Sequence, residues 1–215
     1  MDFGIKVILP GEHVARRLSP EEFHALLGVE YLPRLRFISE EVKEQAIADR
    51  PYFLRFHWAG TWDRKRRRAY LAKLSEGYEA NVMIRWIGDV LGYGLYNNRE
   101  LAEGEYVGEY TGVVRPLHRT KPDHNPYCMH YPTRFWSRRL FIIDALKESN
   151  CIRFANHSDE PTMALECVLD DEGIIHFVLV AKRFLPRGTQ LTFDYGKDYW
   201  KYREKVEIST QWKHH

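Results

Sequence analysis

At Asn81 the sequence changes texture. Ahead of it, apolar residues recur at helical spacing behind helix-start signals. Ser19-Pro20-Glu21-Glu22 combines an N-cap, a first-turn proline and a capping-box glutamate, with Phe23, Leu26 and Leu27 following on one face. Ser39 opens a second helix, with Glu40 and Glu41 at its positive end, Val42, Ala46 and Ile47 turned inward, and Pro51 to stop it. A third helix is predicted from about Trp62 to Leu74. After Asn81 the pattern becomes short β-branched and aromatic runs cut by Gly and Pro: Val82–Ile87, Tyr106–Tyr110, Leu140–Ile143, Ala164–Leu169, Ile174–Val180 and Gln190–Phe193. Asp170-Asp171-Glu172-Gly173 predicts a hairpin turn. With no internal repeat or low-complexity tract, the chain reads as α+β: a helical N-terminal region over residues 1–80, a compact, irregular and mainly β domain over 81–200, and a tail over 201–215.

Composition narrows the function classes. A chain of 215 residues that is 44% hydrophobic can bury a real core, which excludes a disordered or fibrous protein. Lys and Arg number 32 against 30 Asp and Glu, so any basic surface is local. The cysteines Cys128, Cys151 and Cys167 are odd in number and widely spaced, which offers neither a disulfide framework nor a CxxC zinc ribbon and points to a reducing compartment. The longest apolar runs are strand-sized, so no membrane span is expected, and the N-terminus shows no cleavable secretory signal. No function is read into the closing Lys213-His214-His215.

Three short motifs carry polar or glycine chemistry. Gly92-Tyr93-Gly94 follows a strand and lets a ligand approach the backbone, yet it lacks the third glycine and following helix of a dinucleotide site. Arg153-Phe154-Ala155-Asn156-His157-Ser158 places an Asn-His pair behind an aromatic, and Thr192-Phe193-Asp194-Tyr195-Gly196 ends a strand in a tyrosine. Each alone is ordinary; their order and spacing are not. Together with Glu109-Tyr110-Thr111-Gly112 and Ile143-Asp144-Ala145 they resemble the SET-domain protein-lysine methyltransferases over about residues 82–200. Tyr106-Val107-Gly108-Glu109 offers a second Y-x-G-E register, but its distance from the G-x-G favours Tyr110.

The resemblance implies an S-adenosyl-L-methionine enzyme with a knotted β fold, in which the segments near Asn156 and Tyr195 thread together. It assigns Tyr195 and Tyr110 to catalysis and Tyr93, Gly94, Arg153, Asn156 and His157 to the cofactor. Tyr127, in a variable insert over 113–140, joins the cofactor set, as does Tyr199. Phe193 and Trp200 become walls of a lysine channel, and phenylalanine at 193 implies capacity for di- or trimethylation. Where family members often read N-H-S-C-x-P-N, this chain has Asp159 and Thr162 in place of the cysteine and the last asparagine. Zinc-binding cysteine clusters flanking the domain are absent, which resembles the compact stand-alone members of intracellular bacteria and viruses. His118, His124, Cys128 and His130 have ligand chemistry but loose spacing, and no metal is assigned to them.

The expected partner is a lysine-rich protein, a histone or a histone-like protein. The compartment is the cytoplasm of the producing cell, or a host nucleus for a secreted effector, and a homodimer is left open. The competing reading is a SET-fold binding module that docks on chromatin or nucleic acid. Its main feature is the basic run Arg64-Lys65-Arg66-Arg67-Arg68, while the basic insert with Arg115, Arg119, Lys121, Arg134, Arg138 and Arg139 is, by the resemblance, the part that meets the substrate. An acidic stretch without Lys or Arg over 158–181 could instead attract a lysine-rich tail or simply keep a hairpin soluble.

Overall fold

The computed structural model of the protein describes residues 4–54, 61–118 and 125–200, and of residues 61–63 and 198 the backbone alone. Of the sequence features above, Trp58, Arg119, Lys121, His124 and the tail over 201–215 lie outside the described residues.

The predicted helices form. In α1 (Pro20–Leu27) the Glu22 amide donates to Ser19 Oγ at 3.2 Å and the Ser19 amide donates back to the Glu22 carboxylate at 2.8 Å, completing the capping box. Ser39 caps α2 (Glu40–Ala48) through the Val42 amide, and α3 runs from Thr61 to Glu76. Besides these helices, the first 80 residues contribute strands that the helical reading did not contain: β1 (Ile5–Ile8), β2 (Arg16–Leu18), β3 (Glu30–Tyr31) and β4 (Arg36–Phe37). They are too short for a periodic signal and are held by distant partners. β1 runs parallel to β5 (Val82–Gly88), β3 parallel to β11 (Glu148–Ser149), and β4 parallel to β8 (Val113–Pro116).

The remaining strands are β6 (Gly92–Asn97), β7 (Tyr106–Glu109), β9 (Cys128–Tyr131), β10 (Phe141–Asp144), β12 (Asn156–His157), β13 (Met163–Leu169), β14 (Ile175–Ala181) and β15 (Gln190–Phe193). Among the described residues the strands form four sheets, in the orders β12-β15-β6-β5-β1-β2, β4-β8-β10-β9, β11-β3 and β13-β14-β7. β14 is buried on both faces, and the two faces meet different partners. Phe177, Leu179 and Ala181 enter the main core, while Val178 and Val180 pack with Tyr70, Leu74 and Tyr106 beneath α3. A central strand covered on both sides reads as a continuous apolar run, as this one does.

The basic and acidic segments prove to be partners. Arg67 of α3 donates to Leu169 O and, at 2.8 Å, to Asp171, and Arg66 lies 3.4 Å from Glu166. Lys43 of α2 pairs with Glu172 at 2.9 Å. Part of the basic run is therefore engaged in docking α3 on the β13–β14 hairpin, while Arg64, Lys65 and Arg68 stay exposed.

One glycine fixes the sheet contact beside the site. A Cβ at Gly112 would stand 2.6 Å from Asp144 O and 2.8 Å from Ile143 Cγ2. Because the closest neighbour is backbone, Gly112→Ala should destabilise the fold by about 1–3 kcal/mol, read as a lower urea midpoint at unchanged m-value.

Candidate active site

The site is made where the chain crosses itself. β15 lies between β12 and β6, parallel to the first with Asn156 opposite Thr192 and His157 opposite Phe193, and antiparallel to the second with Leu191 opposite Leu95. The Asn-His pair and the terminal tyrosine, 38 positions apart, are thereby joined: the Tyr195 amide donates to His157 Nδ1 at 3.2 Å. The departure at Thr162 serves this crossing. The Thr162 amide donates to Thr192 Oγ1 at 3.1 Å, and the Thr192 amide donates to Thr162 Oγ1 at 2.9 Å. This reciprocal pair bolts the two threaded segments together, so the substituted residue supplies a structural bond of its own.

Gly92-Tyr93-Gly94 is the opening of β6. Gly92, at φ +67, ends the β5–β6 turn in a conformation that suits glycine. At Gly94 the space a Cβ would need is filled by Ile87 Cδ1 at 2.4 Å and Gln190 Nε2 at 2.9 Å. Asn156 donates through Nδ2 to Tyr93 O at 3.2 Å, tying this strand to the crossing. The Tyr93 ring stands edge-on to Trp86 at 5.0 Å and to Phe154 at 6.0 Å.

Around Tyr195 the aromatic residues close in. Its ring centroid lies 4.8 Å from Phe193, 4.7 Å from Tyr199 and 6.2 Å from Trp200, the last stacked at an interplanar angle of 9°. Trp200 also touches His157 at 4.8 Å, so the short helix α4 (Lys197–Trp200) covers both segments of the crossing. Tyr110 reaches the group through Phe193, 6.3 Å away, whereas Tyr106 packs with Tyr70 and Tyr78 under α3. Of the two Y-x-G-type registers, Tyr110 is the one whose ring is at the crossing. Arg153 and Tyr127 complete the set, with the guanidinium 3.8 Å from the Tyr127 ring centre and 5.2 Å from that of Phe154.

Protonation follows from burial. Tyr195 and Tyr110 are both pushed well above the ordinary tyrosine range, chiefly because burial penalises phenolate, with neighbouring tyrosines adding to the shift. Arg153 is lowered by desolvation, countered in part by Tyr127 and Tyr110, and remains a cation. Tyr195 donates its hydroxyl proton to Ala155 O at 2.8 Å. That commits the hydrogen and leaves the oxygen lone pairs as acceptors. Ala155 escapes sequence reading because its contribution is a backbone carbonyl; Trp86 and Phe154 escape it because an aromatic wall has no spacing rule.

Several buried donors have no hydrogen-bond partner among the described residues: Arg153 Nε, His157 Nε2, Gln190 Nε2 and Trp200 Nε1. With Nδ1 accepting from the Tyr195 amide, Nε2 is the ring nitrogen left to donate, and it lies 3.3 Å from Asp159 Oδ1 without forming a hydrogen bond. Such donors, beside an open backbone at Gly92 and aromatic faces, fit a ligand rich in acceptors that also bears a cationic centre. Among the described residues, no three of His, Cys, Asp and Glu are placed to hold a metal. A cavity of about 590 Å³ lies elsewhere, between the 32–36 loop, α3 and the turn at Asp170–Glu172, and shares no residue with this cluster.

Residues 92–196 match the family model described as SET domain. The chain is 37% identical over 108 residues to putative histone-lysine N-methyltransferase 1 of Plasmodium falciparum (isolate 3D7), covering 48% of this chain and 2% of that protein. It is 30% identical over 131 residues to N-lysine methyltransferase KMT5A-A of Danio rerio, covering 57% and 37%. The chain thus spans well under half the length of these curated relatives. Among solved structures, ATXR5 in complex with histone H3.1 mono-methylated on R26 is similar at TM-score 0.61 and 16% identity, over 88% of this chain and 89% of that one. The Chaetomium thermophilum polycomb repressive complex 2 is similar at TM-score 0.51 and 22% identity, over 62% of this chain and 17% of that one. At these identities the solved structures show the fold, which is the α+β arrangement expected from sequence.

Proposed function

We propose, from the match of residues 92–196 to the SET domain model, that the protein transfers methyl groups from S-adenosyl-L-methionine to lysine side chains of proteins. The observation that carries this reading is the crossing itself: the Asn156-His157 pair, Tyr195, Phe193 and Trp200 meet at one place, with the Tyr195 hydroxyl locked to Ala155 O.

When bound, the cofactor supplies an electrophilic methyl group on a sulfonium. Tyr93, Gly94, Asn156 and His157, with Arg153, Tyr127 and Tyr199, would hold it, and the Arg153 and His157 donors that make no hydrogen bond among the described residues would face its acceptor atoms. The chain's own task is to present a neutral amine in line with that methyl. At a reference pKa of about 10.4, roughly one free lysine in a thousand is neutral at pH 7.4. The cluster of Tyr110, Phe193, Tyr195 and Trp200 disfavours the ammonium by desolvation, so the proton leaves to water as the side chain enters. Tyr195 is a poor base, since burial holds its phenol neutral. Its free lone pairs instead accept from the amine N–H and turn the nitrogen lone pair toward the methyl. Tyr110 acts as the positioning partner behind Phe193.

The proposed substrates are histones or histone-like basic proteins, and the proposed products include the di- and trimethyl states. What supports this capacity is the phenylalanine at 193, packed 4.8 Å from Tyr195 and bringing no hydroxyl to hold a water where a bulkier amine must fit. Phe193→Tyr should shift the product toward monomethyl-lysine, measured by mass spectrometry of a modified histone. The same product distribution from both proteins would sink the idea. A panel of core histones and bacterial histone-like proteins incubated with methyl-labelled cofactor tests the substrate class: label on lysine supports the reading, and cofactor binding without transfer to any panel member favours the binding module.

A further inference from the structure

We propose that the loop over residues 133–139, together with the chain at 49–53, forms a second binding surface, separate from the methyl-transfer site, that takes single-stranded nucleic acid. Four large aromatics stand in water there: Phe135 is 100% exposed, Trp136 69%, Phe53 68% and Tyr52 56%. Hydrogen bonds bring the two segments together, because the Arg134 amide donates to Asp49 O at 2.7 Å and Arg134 Nη1 donates to Tyr52 Oη at 3.1 Å.

The exposed rings sit on a fixed support. Asp49 is only 4% exposed, and its carboxylate accepts from Arg134 Nη2 at 2.6 Å, Ser137 Oγ at 2.9 Å and Arg139 Nη1 at 3.2 Å. A buried carboxylate spent on holding a loop costs desolvation, and Phe and Trp held in water forgo the gain of burial, so both run against what folding alone would select. A partner that covers the rings resolves the conflict.

Charge and shape identify the partner. Arg134 and Arg139 share the Asp49 carboxylate, Arg138 beside them is exposed, and the sequence has no Asp or Glu from residue 125 to 143. A basic surface repels a lysine-rich protein and attracts a polyanion. The four exposed apolar side chains are all planar and none is aliphatic, and Arg134 already lies over the Tyr52 ring at 5.7 Å. Flat faces edged by guanidinium groups suit unstacked bases and phosphates, whereas insertion into a lipid surface draws on aliphatic side chains as well. In duplex nucleic acid the base faces are already stacked on each other, which favours a single strand.

The test is fluorescence anisotropy of a labelled mixed-sequence deoxyoligonucleotide of about 15 nucleotides, a length within the usual footprint of such surfaces, titrated with the full chain. Saturable binding should weaken about ten-fold or more in Phe135→Ala and in Trp136→Ala. In Arg138→Gln the slope of log affinity against log salt should fall by about 0.7. All three side chains are exposed, so thermal unfolding should match the unsubstituted protein and separate lost binding from lost fold. Absence of saturable binding, ring variants that bind as well as the parent, a duplex bound as tightly as the single strand with no effect of the ring variants, or binding to phosphatidylserine vesicles in place of the oligonucleotide would each overturn the proposal.

Discussion

Tyr195→Phe should lower methyl transfer by at least about 100-fold while the cofactor still binds. The substitution keeps the ring that packs on Phe193, Tyr199 and Trp200 and removes only the oxygen. With the oxygen goes the acceptor that orients the incoming amine, and Ala155 O loses its donor. The second loss should cost stability about 1 kcal/mol, well short of unfolding. Loss of activity with a retained unfolding midpoint and a retained cofactor dissociation constant is therefore the expected signature. A variant that unfolds, or one that transfers methyl at the parent's rate, would remove Tyr195 from the role given to it. His157 offers a contrast, because its Nδ1 receives the Tyr195 amide and its substitution should weaken both cofactor binding and the crossing.

The second large effect is on stability and pH, and it arises away from the site. His176 on β14 stands between two carboxylates, with Nδ1 2.6 Å from Glu109 and Nε2 3.3 Å from Asp170. Burial alone would lower its pKa, but hydrogen bonds to Asp170 and Glu109 and their charges override that and push it up to about 9. Burial likewise would raise Asp170, yet the bonds from His176 and from the Ile174 amide hold it below the ordinary carboxylate range. For a histidine raised in the folded state, the contribution to stability is complete below the unfolded value of about 6.5 and disappears as pH rises through about 9. The size of the shift corresponds to about 3 kcal/mol. Asp170 works at the other end, its contribution present above the unfolded value and lost on acidification. Denaturant unfolding should show the protein weakening between pH 6.5 and 9.5, and His176→Gln should be less stable at the lower pH and nearly flat across that interval. Parallel profiles for the two proteins would contradict the assignment.

This triad joins three parts of the chain that the sequence does not connect. Glu109 ends β7 and is 3% exposed, His176 sits on β14, and the Leu35 amide of the N-terminal region donates to Glu109 at 3.4 Å. Glu109 was visible in sequence only as the first letter of a motif; its bonds make it a structural anchor one residue ahead of Tyr110.

Legibility along the chain follows the range of the forces involved. The caps at Ser19 and Ser39 and the turn at Asp170–Gly173 could be read because each is settled within a few residues. The cluster at the crossing could be anticipated as a set because Tyr93, Tyr110, Asn156, His157 and Tyr195 fall in dense, ordered motifs. What resisted was long-range. The two-residue strands β3, β4, β11 and β12 have no periodicity and exist through their partners. The basic run at 64–68 and the acidic stretch over 158–181 were each read alone, whereas Arg66 and Arg67 answer Glu166 and Asp171. Asp49 gave no signal at all, since nothing local shows that Arg134, Ser137 and Arg139 would converge on it.

The most direct test of the central claim is to identify the methylated atom. The full chain, methyl-labelled S-adenosyl-L-methionine and a core histone mixture are incubated, and the modified peptides are sequenced by tandem mass spectrometry with Tyr195→Phe alongside. The account predicts methyl increments on lysine side chains that vanish in the variant. Cofactor bound at the crossing with no methyl increment on any protein, or increments that persist without the Tyr195 hydroxyl, would contradict it.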